Sequence, residues 1–192
     1  VAMHLYTKND KMPLPYRVHE QPSVEKMTEF AETALEFGHK IDISSNKAYS
    51  ASINEMVAKI DGTIEGDILQ PLAIRSMEKA YYTSKKIGHF GLAFDYYAHF
   101  TSPIRRYPDL ITHRMLQDYL TKHKSFDYGN VEKMASHSSK QEQKATSAER
   151  ASIKYKQVEY MSNFKGEEFD GIISGVTDWG IFVEIVENKC EG

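Results

Sequence analysis

Hydrophobic positions recur at helical spacing through most of this chain. Val24, Met27, Phe30, Ala31, Ala34 and Leu35 share one face, behind Ser23, which suits an N-cap, and ahead of Gly38, which suits a C-terminal stop. A short helix is expected over residues 50–60, followed by a turn at Asp61-Gly62. Thr63 heads the next helix, with Ile64, Ile68, Leu69, Leu72, Ala73, Met77 and Ala80 apolar, and Pro71 predicts a kink or a fresh start within it. The longest stretch without Gly or Pro runs from Val131 to Lys165, with Asn130 as cap and Gly166 as stop. Its middle is rich in small residues, Ser136, Ser138, Ser139, Ala145, Ser147, Ala148, Ala151 and Ser152, small enough for another helix or a ligand to approach. Residues 1–21 read as loop and short strand, because Pro13 and Pro15 oppose helix and Tyr16 to His19 alternate. Residues 39–49, 81–87 and 121–129 read as polar connections.

Two stretches alternate instead. Phe90, Leu92, Phe94, Tyr96, Ala98 and Phe100 fall on every second position, which predicts a strand whose other face carries His89, Asp95, Tyr97 and His99. The alternation stops at Thr101-Ser102-Pro103, where Ser102 suits an N-cap and Pro103 a first helical position. Ile104, Tyr107, Leu110, Ile111, Met115, Leu116, Tyr119 and Leu120 continue at helical spacing. The second alternating stretch predicts a hairpin of strands 170–174 and 180–185 around Thr177-Asp178-Trp179.

This reading puts Arg105 and Arg106 in the first turn of a helix, the end where the macrodipole disfavours cations. A phosphate bound there reconciles the two. The alternative is pairing with Asp109, from Arg105 at i+4 or Arg106 at i+3, but one carboxylate cannot fully serve both.

Apolar residues make up 41% of the 192 and aromatics 11%, enough for a globular core. The net charge of −3 gives no general attraction to nucleic acid, so any such contact is local. The single cysteine, Cys190, excludes an internal disulfide and suits a reducing cytosol. No run of apolar residues is long enough to span a bilayer, and no signal-peptide pattern is present, so the chain reads as cytoplasmic with no membrane partner.

The segment YAHFTSPIRRYPDLITHR, from Tyr97 to Arg114, resembles the signature of the ribonuclease II / ribonuclease R family of exoribonucleases. PYRVHEQPS and LQPLAIRSM resemble other parts of the same catalytic domain, in the same order, and FDGIISGVTDWGIFVEI, from Phe169, resembles the opening of the OB-fold module that follows it. The resemblance implies a processive enzyme that degrades RNA from its 3′ end to 5′-mononucleotides. It implies catalytic roles for Arg105 and for Glu149, in TSAER, the latter accepting hydrogen bonds from the terminal ribose hydroxyls. Taken alone, Glu149 reads as an exposed ion pair with Lys144 or Lys154. Arg106, Ser102, Thr101 and His99 are the further candidates for RNA contact, and Trp179 and Phe182 are candidates for base stacking.

The family's magnesium ions require a tight aspartate cluster, whereas the ten aspartates here are scattered, no two closer than six residues. Magnesium ligands are therefore expected outside this chain, with no metal site within it and no activity from these residues alone. The expected class is α+β. The resemblance implies that residues 1–165 are the largely helical C-terminal part of an RNB catalytic domain and residues 166–192 the first strands of an incomplete OB-fold. Two strands cannot close a barrel, so the chain reads as a piece of a larger protein whose last strands could pair with another copy. The alternative is a non-catalytic RNA-binding or scaffold protein derived from the same fold.

Overall fold

The computed structural model describes residues 1–8, 12–122 and 128–192. Asn9 to Lys11 and residues 123–127, which belong to the predicted loops 1–21 and 121–129, lie outside the described residues. The chain opens with helix α1 (Ala2–Lys8), which the loop expectation missed because Pro13 and Pro15 act only beyond its end. β1 (Tyr16–Val18) follows.

α2 (Val24–Glu36) is bounded as its sequence predicts. The Ser23 side chain accepts the Lys26 N–H at 3.3 Å. Gly38, at φ 84°, lets the N–H groups of Gly38 and His39 reach the Leu35 and Ala34 carbonyls, both at 2.9 Å. α3 (Asn46–Ile60) begins earlier than its apolar pattern shows, because the Ser45 side chain caps the Ala48 N–H and the first turn is polar. α4 (Ile64–Ser76) is capped by Thr63 and runs through Pro71, so Met77 and Ala80 lie past its end. Packed together, the three bury Met27, Phe30, Tyr49, Ile53, Met56 and Leu69, and the Tyr49 hydroxyl finds Ser76 Oγ at 2.9 Å.

β2 (Tyr81–Thr83) occupies part of a predicted polar loop and pairs antiparallel with β1, Tyr16 opposite Thr83 and Val18 opposite Tyr81. α5 (Tyr107–Thr121) and the start of α6 (Val131–Met161) complete a second core with α1 and β1, around Leu5, Leu14, Tyr16, Ile111, Met115 and Val131.

The predicted strand 90–100 does not form. Phe90–Leu92 is a 3-10 turn, Ala93 takes φ 54°, and the rest makes single bridges: His89 with Phe94 and with His19, and Tyr16 with Ala98. Isolated contacts to β1 and its extension hold the segment, not a ladder, and Leu92 and Phe94 stay exposed. The predicted helix start at Ser102-Pro103 is also corrected. The helix begins at Tyr107 with Arg106 as N-cap residue, so Arg105 lies in a turn outside it, and Ile104 is fully exposed. The physical reason is a second proline-led start. A helix begun at Pro103 would carry Pro108 in its interior, where the missing N–H and the ring cost about 3 kcal/mol.

α6 stops at Met161, short of the predicted Lys165, and a 3-10 turn Ser162–Phe164 follows. β3 (Gly171–Thr177) and β4 (Gly180–Ile185) form the hairpin, Thr177 opposite Gly180. The chain end adds a third short piece to β4, as Val183 and Gly192 exchange N–H···O bonds at 2.9 and 3.1 Å. The chain forms two compact units, 1–140 and 141–192, with α6 running from the first into the second. Among the described residues, no helix is long and apolar enough to cross a membrane.

Candidate RNA-contact site

The stretch around Thr101–Arg106 is a turn built on Ser102. Its carbonyl accepts the N–H groups of Arg105 at 3.3 Å and Arg106 at 3.0 Å. Its own N–H donates to Asp109 Oδ2 at 2.8 Å, and Arg106 Nη2 donates to the same oxygen at 2.9 Å. Asp109 is wholly buried and the Arg106 side chain is 22% exposed. The competition posed by the sequence is thereby resolved: Arg106 takes the carboxylate. Arg105 is exposed, and among the described residues it makes no ion pair. Asp109 Oδ1 and Arg106 Nε remain buried without partners, so the pair is joined through one oxygen and one nitrogen only.

Thr101 is exposed at the edge of the turn and Ser102 is half-buried within it. His113 anchors the approach, its Nε2 2.7 Å from the Phe100 carbonyl and its ring stacked on Phe100 at 4.1 Å. His99 is tied into the wall: Nδ1 lies 2.7 Å from the Tyr82 hydroxyl, and the Arg17 guanidinium sits 4.7 Å over the Tyr82 ring. The His99 edge meets Tyr97 at 5.6 Å.

A neighbouring groove of about 810 Å³ was not foreseen. Its lining includes Gln21, Lys47, Ser50, His89 and Phe94. His19, on its wall, accepts the Gly91 N–H through Nδ1 at 3.1 Å, so its proton sits on Nε2, which is buried and unpartnered. His89 lies edge-on to His19 at 5.1 Å; burial, then His19 and Arg17, hold its pKa below the usual histidine value. A Cβ on Gly91 would lie 2.9 Å from His19 Nδ1, so this close approach requires glycine. The alternation of Tyr16 to His19 was the available signal for His19, whereas Lys47 and Ser50 come from the polar first turns of α3.

In the second unit, Glu149 is exposed on α6 and, among the described residues, pairs with neither Lys144 nor Lys154. Lys154 Nζ instead reaches the Glu191 carbonyl. The small residues Ala145, Ser147, Ala148, Ala151 and Ser152 are all exposed. Ser139, in the first unit, packs closely and accepts the Tyr82 N–H at 2.8 Å. Trp179 is 80% exposed beside the half-buried Phe182, edge-to-face at 5.5 Å. Ile172, Ile173 and Val176 of the same hairpin are exposed as well. Among the described residues, no group of three or more His, Cys, Asp or Glu side chains is placed to hold a metal ion. The arrangement offers an outward guanidinium on a fixed turn, suited to a phosphate.

The family model of the RNB domain matches residues 1–122. Ribonuclease R of Aquifex aeolicus is 40% identical over 196 residues, which cover 100% of this chain and 27% of that protein. The solved structure of Mycoplasma genitalium ribonuclease R in complex with ribose-methylated single-stranded RNA superposes with a TM-score of 0.88 at 33% identity, covering 100% of this chain and 31% of that one. A yeast pseudonuclease shares the fold with a TM-score of 0.78 at 24% identity, over 99% of this chain and 24% of its own. The chain spans about a quarter of the length of the curated relatives it matches.

Proposed function

This chain belongs to the RNB-domain family, and from that premise we propose that it is the RNA-holding part of a processive 3′-to-5′ exoribonuclease that releases 5′-mononucleotides. The observation that carries the reading is the difference between the two adjacent arginines: Arg106 pairs with Asp109, while Arg105 stands exposed on the same turn and, among the described residues, makes no ion pair. A guanidinium held outward without a carboxylate partner is suited to a phosphate of the scissile region. Glu149 accepts hydrogen bonds from the hydroxyls of the 3′-terminal ribose. Residues 166–192 are the opening strands of an OB-fold module, with Trp179 offering a stacking surface. The likeness to a ribonuclease R solved with single-stranded RNA supports this partner.

Magnesium is held by carboxylates outside these residues, and the 192-residue chain alone does not hydrolyse RNA. The non-catalytic scaffold reading differs in one measurable outcome. Full-length protein incubated with 5′-labelled single-stranded RNA and magnesium is expected to shorten it progressively from the 3′ end, releasing mononucleotides. Binding of the RNA without shortening would replace the enzyme reading with the scaffold. Trimming by the stringently purified 192-residue chain would overturn the assignment of the metal ligands to residues outside it.

A further inference from the structure

We propose that Asp109 is a positioning residue, which locks the turn Thr101–Arg106 and thereby fixes the Arg105 guanidinium. For the reaction it affects, this inference rests on the exoribonuclease reading.

An aspartate in the first turn of a helix ordinarily serves the helix, through its dipole and free N–H groups. Asp109 reaches backward instead. Its Oδ2 takes the Ser102 N–H, seven residues earlier, and Arg106 Nη2, three residues earlier. Those two donors bracket Arg105, so a single oxygen closes the turn from both sides. The Ser102 carbonyl closes it again from within by accepting the Arg105 and Arg106 N–H groups. The carboxylate is fully buried, so water does not compete for these bonds. The unpartnered Asp109 Oδ1 and Arg106 Nε show that the pair is not arranged for its own best geometry, which would be a two-bond fork. An uncompensated buried polar atom is a cost that persists where the surroundings over-determine the arrangement. Arg106 on this view does not contact RNA. It carries the guanidinium that binds Asp109 Oδ2 and keeps the turn shut, and it leaves Arg105 without an ion pair among the described residues.

The test is a double-mutant cycle in the full-length protein, with single-stranded RNA as substrate. Asp109→Asn is expected to lower kcat about tenfold or more with a smaller change in KM, since it misplaces a group without removing it. In an Arg105→Ala background the same change is expected to lower kcat no further, because the group being positioned is gone. Losses that multiply would overturn the proposal, as would an unchanged kcat in Asp109→Asn. Should Asp109→Asn fail to fold, Arg106→Gln carries the same cycle, since it withdraws the guanidinium from Oδ2 and leaves a neutral polar side chain in its place. The clamp itself is read without RNA, on the 192-residue chain, as hydrogen exchange of the Ser102 amide. Exchange about tenfold faster in Asp109→Asn supports it, and unchanged protection overturns it. A wild-type protein that does not degrade RNA would remove the exoribonuclease reading, and the Ser102 amide would still decide the clamp.

Discussion

The α2–α4 packet and the segment Gly88–Arg106 are built on opposite principles. In the packet, each helix has a side-chain cap, an apolar stripe and a shared core, so local propensity and packing agree. The segment has a single turn of 3-10 helix and a left-handed Ala93, and its core contacts come from scattered aromatics such as Tyr96. Polar bonds at separate points hold it: Arg17 N–H to the Tyr97 carbonyl at 2.9 Å, Gly91 N–H to His19, and Ser102 N–H to Asp109. The packet buries a contiguous apolar core, and the segment ends in the turn that carries Arg105. The lesson is that the chemically informative stretch is the one whose hydrophobic pattern misleads.

Perturbing each region in turn sharpens this contrast. Phe30→Ala removes a buried ring from the packet and is expected to cost about 3–5 kcal/mol in urea denaturation. A loss below about 1 kcal/mol would show that the packet is not the stabilising region. Gly91→Ala pushes a methyl to within 2.9 Å of His19 Nδ1, and is expected to cost about 1–3 kcal/mol and to break the Gly91–His19 bond, seen as a shift of the His19 ring nitrogens by NMR. Unshifted nitrogens would mean that the segment is not anchored there.

The smallest effect is on pH. The folded state holds the His89 pKa below its unfolded value, so His89 contributes stability that is fully present above the ordinary histidine pKa and is lost as pH falls through the folded value. Hydrogen exchange between pH 7 and 5 is expected to show loosening at Gly88–Phe94 before the packet. His89→Gln is expected to flatten that dependence. Equal loosening of both regions would show that His89 does not set it.

The packet was largely legible in the sequence because caps and apolar spacing are local signals. Ser23, Thr63 and Gly38 bound their helices as their chemistry requires. The start of α3 was hidden because Asn46 to Ala48 carries no large apolar side chain, the stripe opens only at Tyr49, and the cap Ser45 was one of several serines. The segment misled because alternation reports which residues face a surface, not whether a ladder partner exists; β1 is only three residues long, and on the edge away from β2 it gives the segment only isolated bonds. The proline at 103 misled because Pro108 offered a second start, one that keeps Pro108 out of a helix interior. The contest within the turn was legible all the same: Arg105, Arg106 and Asp109 were visible as two cations competing for one anion. Which of them won depends on a turn that no periodicity encodes.

The central claim is that Arg105 and Arg106, adjacent in sequence, have divided their work: one serves RNA and the other serves the fold. Parallel measurement of unfolding midpoint and turnover on single-stranded RNA, for Arg105→Ala and Arg106→Ala in the full-length protein, tests it most directly. Arg105→Ala is expected to leave the midpoint unchanged and to cut mononucleotide release by at least about tenfold, within the range of about 10²–10³ typical for a positioned electrostatic group. Arg106→Ala is expected to lower stability by about 1–3 kcal/mol, because it strands the buried Asp109 carboxylate, and to affect turnover less. An Arg105→Ala protein that releases mononucleotides at the wild-type rate, or an Arg106→Ala protein as stable as wild type, would contradict the account.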